Sequence, residues 1–245
     1  MTEGSGRKPV ATPGAKMMYL IQRREGVTRE ELIVHWFANH MPDVIRRQTL
    51  QASAGTLAAS RYVATLFDPD DTGESPWDGV AQLWFTRPLP RPRRPIGAEP
   101  RDSFQQRAEP YMPWATREYV IMDGALPVEP LTLDPPFPCT RSGFHKLTYL
   151  LVAQADVDFD DFHAHWLDVH SANVAETMTK TGGFRYVVSL SLEPELEPYA
   201  GMAELYFPDA SSRRRFQAEL PDDGFGQYIA RLDTLSAGTE MVGIP

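Results

Sequence analysis

One six-residue stretch restricts this chain more than any other feature, because it occurs twice. His35-Trp36-Phe37-Ala38-Asn39-His40 returns as His165-Trp166-Leu167-Asp168-Val169-His170, an offset of 130 (165 − 35). The register runs without a gap from Lys16/Lys146 to Val44/Val174, and eight of these 29 pairs are identical: Lys16, Tyr19, Leu20, Val27, His35, Trp36, His40 and Val44 with their counterparts. Chance would supply roughly two. A chain that repeats itself in this way folds as two copies of one unit, each marked by a helix that bears His-Trp and a second His.

The order of elements within a copy follows from local patterns. Met17–Gln22 is a short apolar run closed by charge and Gly26, which predicts a strand. Thr28-Arg29-Glu30-Glu31 has capping-box spacing, with Asp158 and Asp161 in the same places in the second copy. Behind the cap, Leu32, Trp36 and His40 recur every four residues, as do Phe162, Trp166 and His170. Each second His therefore ends an apolar stripe and is expected to point inward. Strands follow at 60–67 and 184–190, then at 79–85 and 201–207, rich in β-branched and aromatic residues. A second helix is expected over 102–109 and 211–219, and a closing strand over 117–122 and 239–244. Strand, helix, strand, strand, helix, strand is the split βαβ or ferredoxin-like unit. The expected class is α+β, with two tandem βαββαβ units packed as an intramolecular barrel. The boundaries are a disordered tail over 1–15, a first unit over 16–123, a proline-rich linker over 124–143 and a second unit over 144–245. Outside the repeat, 87–95 is a basic, proline-rich loop, most simply a solvated one, though on an acidic protein it could attract an anion.

Composition removes several classes of function. A net charge of −9 disfavours a nucleic-acid partner. No apolar run approaches the roughly 20 residues of a membrane span, and residues 1–15 lack the apolar core of a signal peptide, so a cytoplasmic protein without a membrane partner is expected. Cys139 is the only cysteine, which excludes an intrachain disulfide. No phosphate loop and no Gly-x-Ser-x-Gly turn occurs. His35/His40 and His165/His170 are five apart, awkward for one ion, and no metal site is expected.

An apolar residue, His-Trp, three residues, His and x-Pro on the first helix of such a unit resembles the EthD-like branch of the dimeric α/β-barrel superfamily. Leu32 to Pro42 carries this pattern in full, and Phe162 to His170 carries it without the proline. The resemblance implies a barrel of two facing sheets and a small apolar ligand, aromatic or polyketide-like, between sheet and helices. Among the activities it implies, a cofactor-independent lyase, dehydratase or cyclase is the leading expectation. The alternatives are a carrier or scavenger of such a molecule, and a haem-binding oxidoreductase with His170 or His145 as axial ligand. A homodimer of the two-unit chain is compatible with it.

The residues themselves suggest the roles. A neutral imidazole in an apolar cleft suits a general base, and His40 and His170 are the first candidates. His35 and His165 lie about 140° away on an α-helical wheel, where packing is the simpler role. Trp36 and Trp166 are core anchors or a stacking wall for substrate. Tyr62 and Tyr186 offer phenols, and Asp43 and Asn173, three residues after the second His, offer to orient it. Five titratable side chains lie between Asp161 and His170 against three between Glu31 and His40, so the second copy is expected to matter more for activity.

Overall fold

The computed structural model describes residues 8–69, 77–126 and 136–245. The class is α+β, in two compact units. The first comprises Pro13–Thr116, Leu126–Phe144 and Leu235–Pro245, and the second Met1–Thr12, Arg117–Ala125 and His145–Thr234.

The first unit begins with β1 (Ala15–Ile21) and α1 (Arg29–His35). Thr28 caps α1 as its spacing predicts: its hydroxyl accepts from Glu31 N–H at 3.2 Å, and its own N–H donates to the Glu31 carboxylate at 3.1 Å. After the π-turn Trp36–His40 come α2 (Met41–Ser53), β2 (Arg61–Leu66), β3 (Gly79–Phe85) and the start of β4 (Trp114–Asp123). With β5 (Cys139–Arg141) and β10 (Thr239–Ile244), the strand order is β5-β10-β2-β3-β1-β4. Leu32, Trp36, Met41 and Ile45 pack on Met17, Tyr62 and Leu83 to form the core.

The second unit repeats this with β6 (His145–Ala153), α3 (Phe159–His165), a second π-turn (Trp166–His170), α4 (Ser171–Thr181), β7 (Arg185–Ser191), β8 (Gly201–Phe207), α5 (Ala210–Glu219) and β9 (Ile229–Ala237). Its order is β4-β7-β8-β6-β9. Lys146 and its neighbour Leu147 show how each strand divides its faces: Leu147 joins the core, while Lys146 is buried on the other side, 2.6 Å from Glu204.

Three expectations are corrected. No helix forms over 102–109, which is a run of turns. The place that α5 holds after β8 falls, in the first copy, on Pro88, Pro90, Pro92 and Pro95, and proline cannot continue a helix. The strand Thr239–Ile244 exists, yet it pairs with β2 and β5 of the first unit. The fourth strand of the second copy is β9, largely exposed from Ile229 to Asp233 and so without the alternation that marks a strand in sequence. The expected tail is outside the described residues over 1–7, but Thr12 N–H donates to Glu118 C=O at 2.8 Å. The proline-rich segment is outside them over 127–135.

Candidate functional site

Each marked helix contains an extra residue in one turn. Met41 N–H donates to Trp36 C=O and Ser171 N–H to Trp166 C=O, bonds that reach back five residues instead of four. Such a turn advances less per residue than an α-helix. The expected 140° between the two histidines of each motif therefore shrinks, and both come to the same neighbourhood. In the second copy His165 Nε2 is 3.9 Å and His170 Nδ1 2.9 Å from the same carboxylate, Asp223.

The tryptophans fix the helix to the sheet. Trp36 Nε1 donates to Tyr62 Oη at 3.3 Å and Trp166 Nε1 to Tyr186 Oη at 3.4 Å, all four side chains buried. Each indole lies over a glycine that opens β3 or β8. A Cβ on Gly79 would stand 3.0 Å from Trp36 and 2.5 Å from Thr65 C=O, and one on Gly201 2.8 Å from both Trp166 and Ser189 C=O.

The second histidine of each motif meets an acid that the motif does not contain. His40 Nδ1 is 2.6 Å from Asp102, and the His40 ring packs on Phe104 at 4.5 Å between centroids. His170 Nδ1 is 2.9 Å from Asp223, with its ring stacked on Phe225 at 4.2 Å. Asp102-Ser103-Phe104 and Asp223-Gly224-Phe225 are thus one repeated Asp-x-Phe element, at an offset of 121 (223 − 102). Sequence reasoning missed it because loops of unequal length had changed the offset from 130. A search for Asp-x-Phe before the last strand of each copy would have found it.

Electrostatics favour charge on these acids. Burial works against the Asp102 carboxylate, but the His40 side chain and the backbone N–H groups of Gln105 and Phe104 hold its pKa below the usual value. Asp223 is lowered in the same way, against burial, by Asn173, His170 and the Phe225 N–H. Burial pushes the His170 pKa down, outweighing the opposing pull of Asp223.

The other expected residues take different places. Asp43 pairs with Arg46 and Arg47, not with His40. Asn173 reaches the histidine indirectly, donating to Asp223 at 2.9 Å. His35 Nδ1 is 2.9 Å from Ser103 Oγ and 3.0 Å from Asn39 Nδ2.

A cavity of about 600 Å³ opens in the first unit beside His40 and Asp102. Its apolar floor includes Trp36, Leu83, Phe85 and Phe104, and three phenols, Tyr19, Tyr62 and Tyr111, face it. Burial raises all three, Tyr19 to about 12 and the other two further, so they remain neutral donors. Leu89, Pro92, Arg94 and Pro95 of the proline-rich loop line it too, and that loop is pinned by paired backbone bonds between Ile96 and Tyr111. In the second copy α5 supplies Phe216, buried against Phe207 at 5.3 Å, to the core. The missing helix is what leaves room above the first sheet.

The EthD domain family matches residues 154–227, the span that holds the second His-Trp motif and its Asp-x-Phe partner. The second copy is thus similar to an EthD domain. The EthD match stops short of the first copy, whose tie to the second is the repeat itself. No protein of curated function matches the sequence. An anthrone oxidase-like protein has the same fold at a TM-score of 0.55 and 10% identity, covering 95% of this chain and 94% of its own. A monooxygenase candidate from Fusobacterium nucleatum subsp. nucleatum ATCC 25586 gives 0.49 at 8% identity, with 94% of each chain covered. A mutant chlorite dismutase from Candidatus Nitrospira defluvii gives 0.46 at 10%, covering 94% and 92%.

Of the two haem ligands the resemblance offered, His145 is exposed at the start of β6, and His170 keeps Nδ1 on Asp223, the kind of partner a metal-binding imidazole commonly has, with its ring stacked on Phe225; neither lines the first unit's cavity. Among the described residues no three His, Cys, Asp or Glu side chains gather as a metal site, and no helix is long and apolar enough to cross a membrane.

Proposed function

We propose that the chain is an acid–base enzyme, a lyase or cyclase working on a small, largely apolar aromatic or polyketide-like molecule in the first unit's cavity. The observation that carries this reading is the His40–Asp102 pair in the wall of an aromatic cavity of about 600 Å³. With Asp102 ionised, the His40 proton belongs on Nδ1, and Nε2 is left as the base. Nε2 takes a proton from carbon beside a substrate carbonyl, the C–H electron pair moves into the carbonyl, and the enolate oxygen accepts hydrogen bonds from the neutral phenols. Collapse of the enolate expels a β-hydroxyl, which leaves as water with the proton held by His40. Alternatively, the enolate carbon attacks a second carbonyl, which closes a ring and takes that proton.

Deuterium exchange at the acidic carbon of small aromatic ketones, followed by NMR, tests the first step without knowledge of the natural substrate. The wild type should accelerate exchange. His40→Ala should lower the rate by about 10²–10⁴, and Asp102→Asn should lower it too, each rate being read against the variant's own melting temperature. Tight binding with no exchange would overturn the enzyme reading in favour of a carrier.

A further inference from the structure

Charge around the cavity is not evenly matched, and the residue before the Asp-x-Phe element differs in sign between the two copies. Arg101 immediately precedes Asp102 and lines the cavity. At the same offset of 121 the second copy has Asp222 (222 − 101), whose carboxylate is spent on Gly224 N–H at 3.0 Å. The repeat has thus exchanged an acid for a cation beside the open site. The other charged groups around the cavity are matched. Arg47 shares Asp43 with Arg46, Arg94 lies 3.4 Å from Glu99, and Asp102 is held by His40. The Arg101 guanidinium has no ion pair or hydrogen bond among the described residues, while its backbone is fixed by its N–H to Gln105 Oε1 at 2.8 Å.

We propose that the site selects aromatic acids: a flat apolar ring system on the aromatic floor, with a carboxylate held by Arg101. A guanidinium presents paired N–H donors that match the two carboxylate oxygens, while the aromatic floor of the cavity takes the ring. A cation here also offsets the repulsion that a net charge of −9 imposes on an anionic ligand. The proposal rests on the reading of this cavity as the substrate site, and it names the class of molecule that enters.

The test is equilibrium binding of 2-naphthoate and anthracene-2-carboxylate, each against its uncharged primary amide, to the full chain by tryptophan fluorescence or calorimetry. The acids should bind about tenfold more tightly than the amides in the wild type. Arg101→Gln should remove that preference, leave amide binding unchanged and leave the melting temperature in place. Arg101→Lys should restore part of it, since the charge returns without the paired donors. Equal binding of acid and amide, or a preference that survives Arg101→Gln, would overturn the anion proposal while the aromatic cavity stands. Failure of both acids and amides to bind would sink the cavity reading along with it.

Discussion

A 2.6 Å contact between His40 Nδ1 and Asp102, and its counterpart of 2.9 Å between His170 and Asp223, give the two copies the same residue-level chemistry in different surroundings. His170 and His163 are both pushed below the usual imidazole pKa, first by burial. An unfolded chain then binds protons that the folded chain refuses, so their contribution to stability is complete above about pH 6.5 and is lost as pH falls through the lowered values. Asp102 and Asp223, lowered too, contribute above about pH 3.9 and lose that contribution on further acidification. Melting temperature should therefore fall in two stages from neutral pH downward. His163 Nε2 is buried without a hydrogen-bond partner, and His163→Gln should flatten the first stage. A melting temperature that rose on acidification from pH 7 to about 5.5 would contradict the depressed histidine pKa values.

At the scale of elements, the helix is held to its sheet by an indole lying on a glycine. Gly79→Ala would set a methyl 2.5 Å from Thr65 C=O and 3.0 Å from Trp36, so either β3 or the helix must move. The expected cost is about 1–3 kcal/mol, measurable by urea denaturation, and the shift should also weaken ligand binding because Trp36 lines the cavity. Gly201→Ala should cost a similar amount in the second unit while leaving that binding intact. The proline-rich loop matters for the opposite reason, since it replaces a helix and leaves space. Counting titratable groups points to His170, whereas the cavity points to His40. His40→Ala is accordingly expected to cost about 10²–10⁴ in exchange rate, and His170→Ala less than about tenfold, each read against its own melting temperature.

At the scale of the molecule, the last strand of the chain completes the first unit. Glu240 on β10 is buried with Arg141 of β5 at 2.6 Å, and it accepts from Thr65 of β2 at 3.2 Å. Glu240→Ala would leave the Arg141 guanidinium buried without its carboxylate, at a cost of about 3–5 kcal/mol. Hydrogen exchange should show the loss of protection in β2 and β10, with β6 and β8 retaining theirs. Joint replacement, Arg141→Met with Glu240→Leu, should recover much of the stability, because a paired charge contributes little beyond an apolar pair of similar volume.

The duplication, the α+β class, the capping box and the inward face of His40 were all legible in the chain, because each rests on spacing within one segment. Thr28 and Glu31 are three residues apart, and Leu32, Trp36 and His40 recur every four residues. What only tertiary structure decided depends on segments that meet across long separations. Asp102 stands 62 residues from His40, beyond a loop whose length differs between the copies, so no local period could pair them. The π-turn likewise changed which histidines share a neighbourhood, because one backbone bond five residues back alters every angle counted on an α-helical wheel. The open cavity came from the absence of a helix, and empty space belongs to no residue: only the packed chain shows where side chains fail to meet.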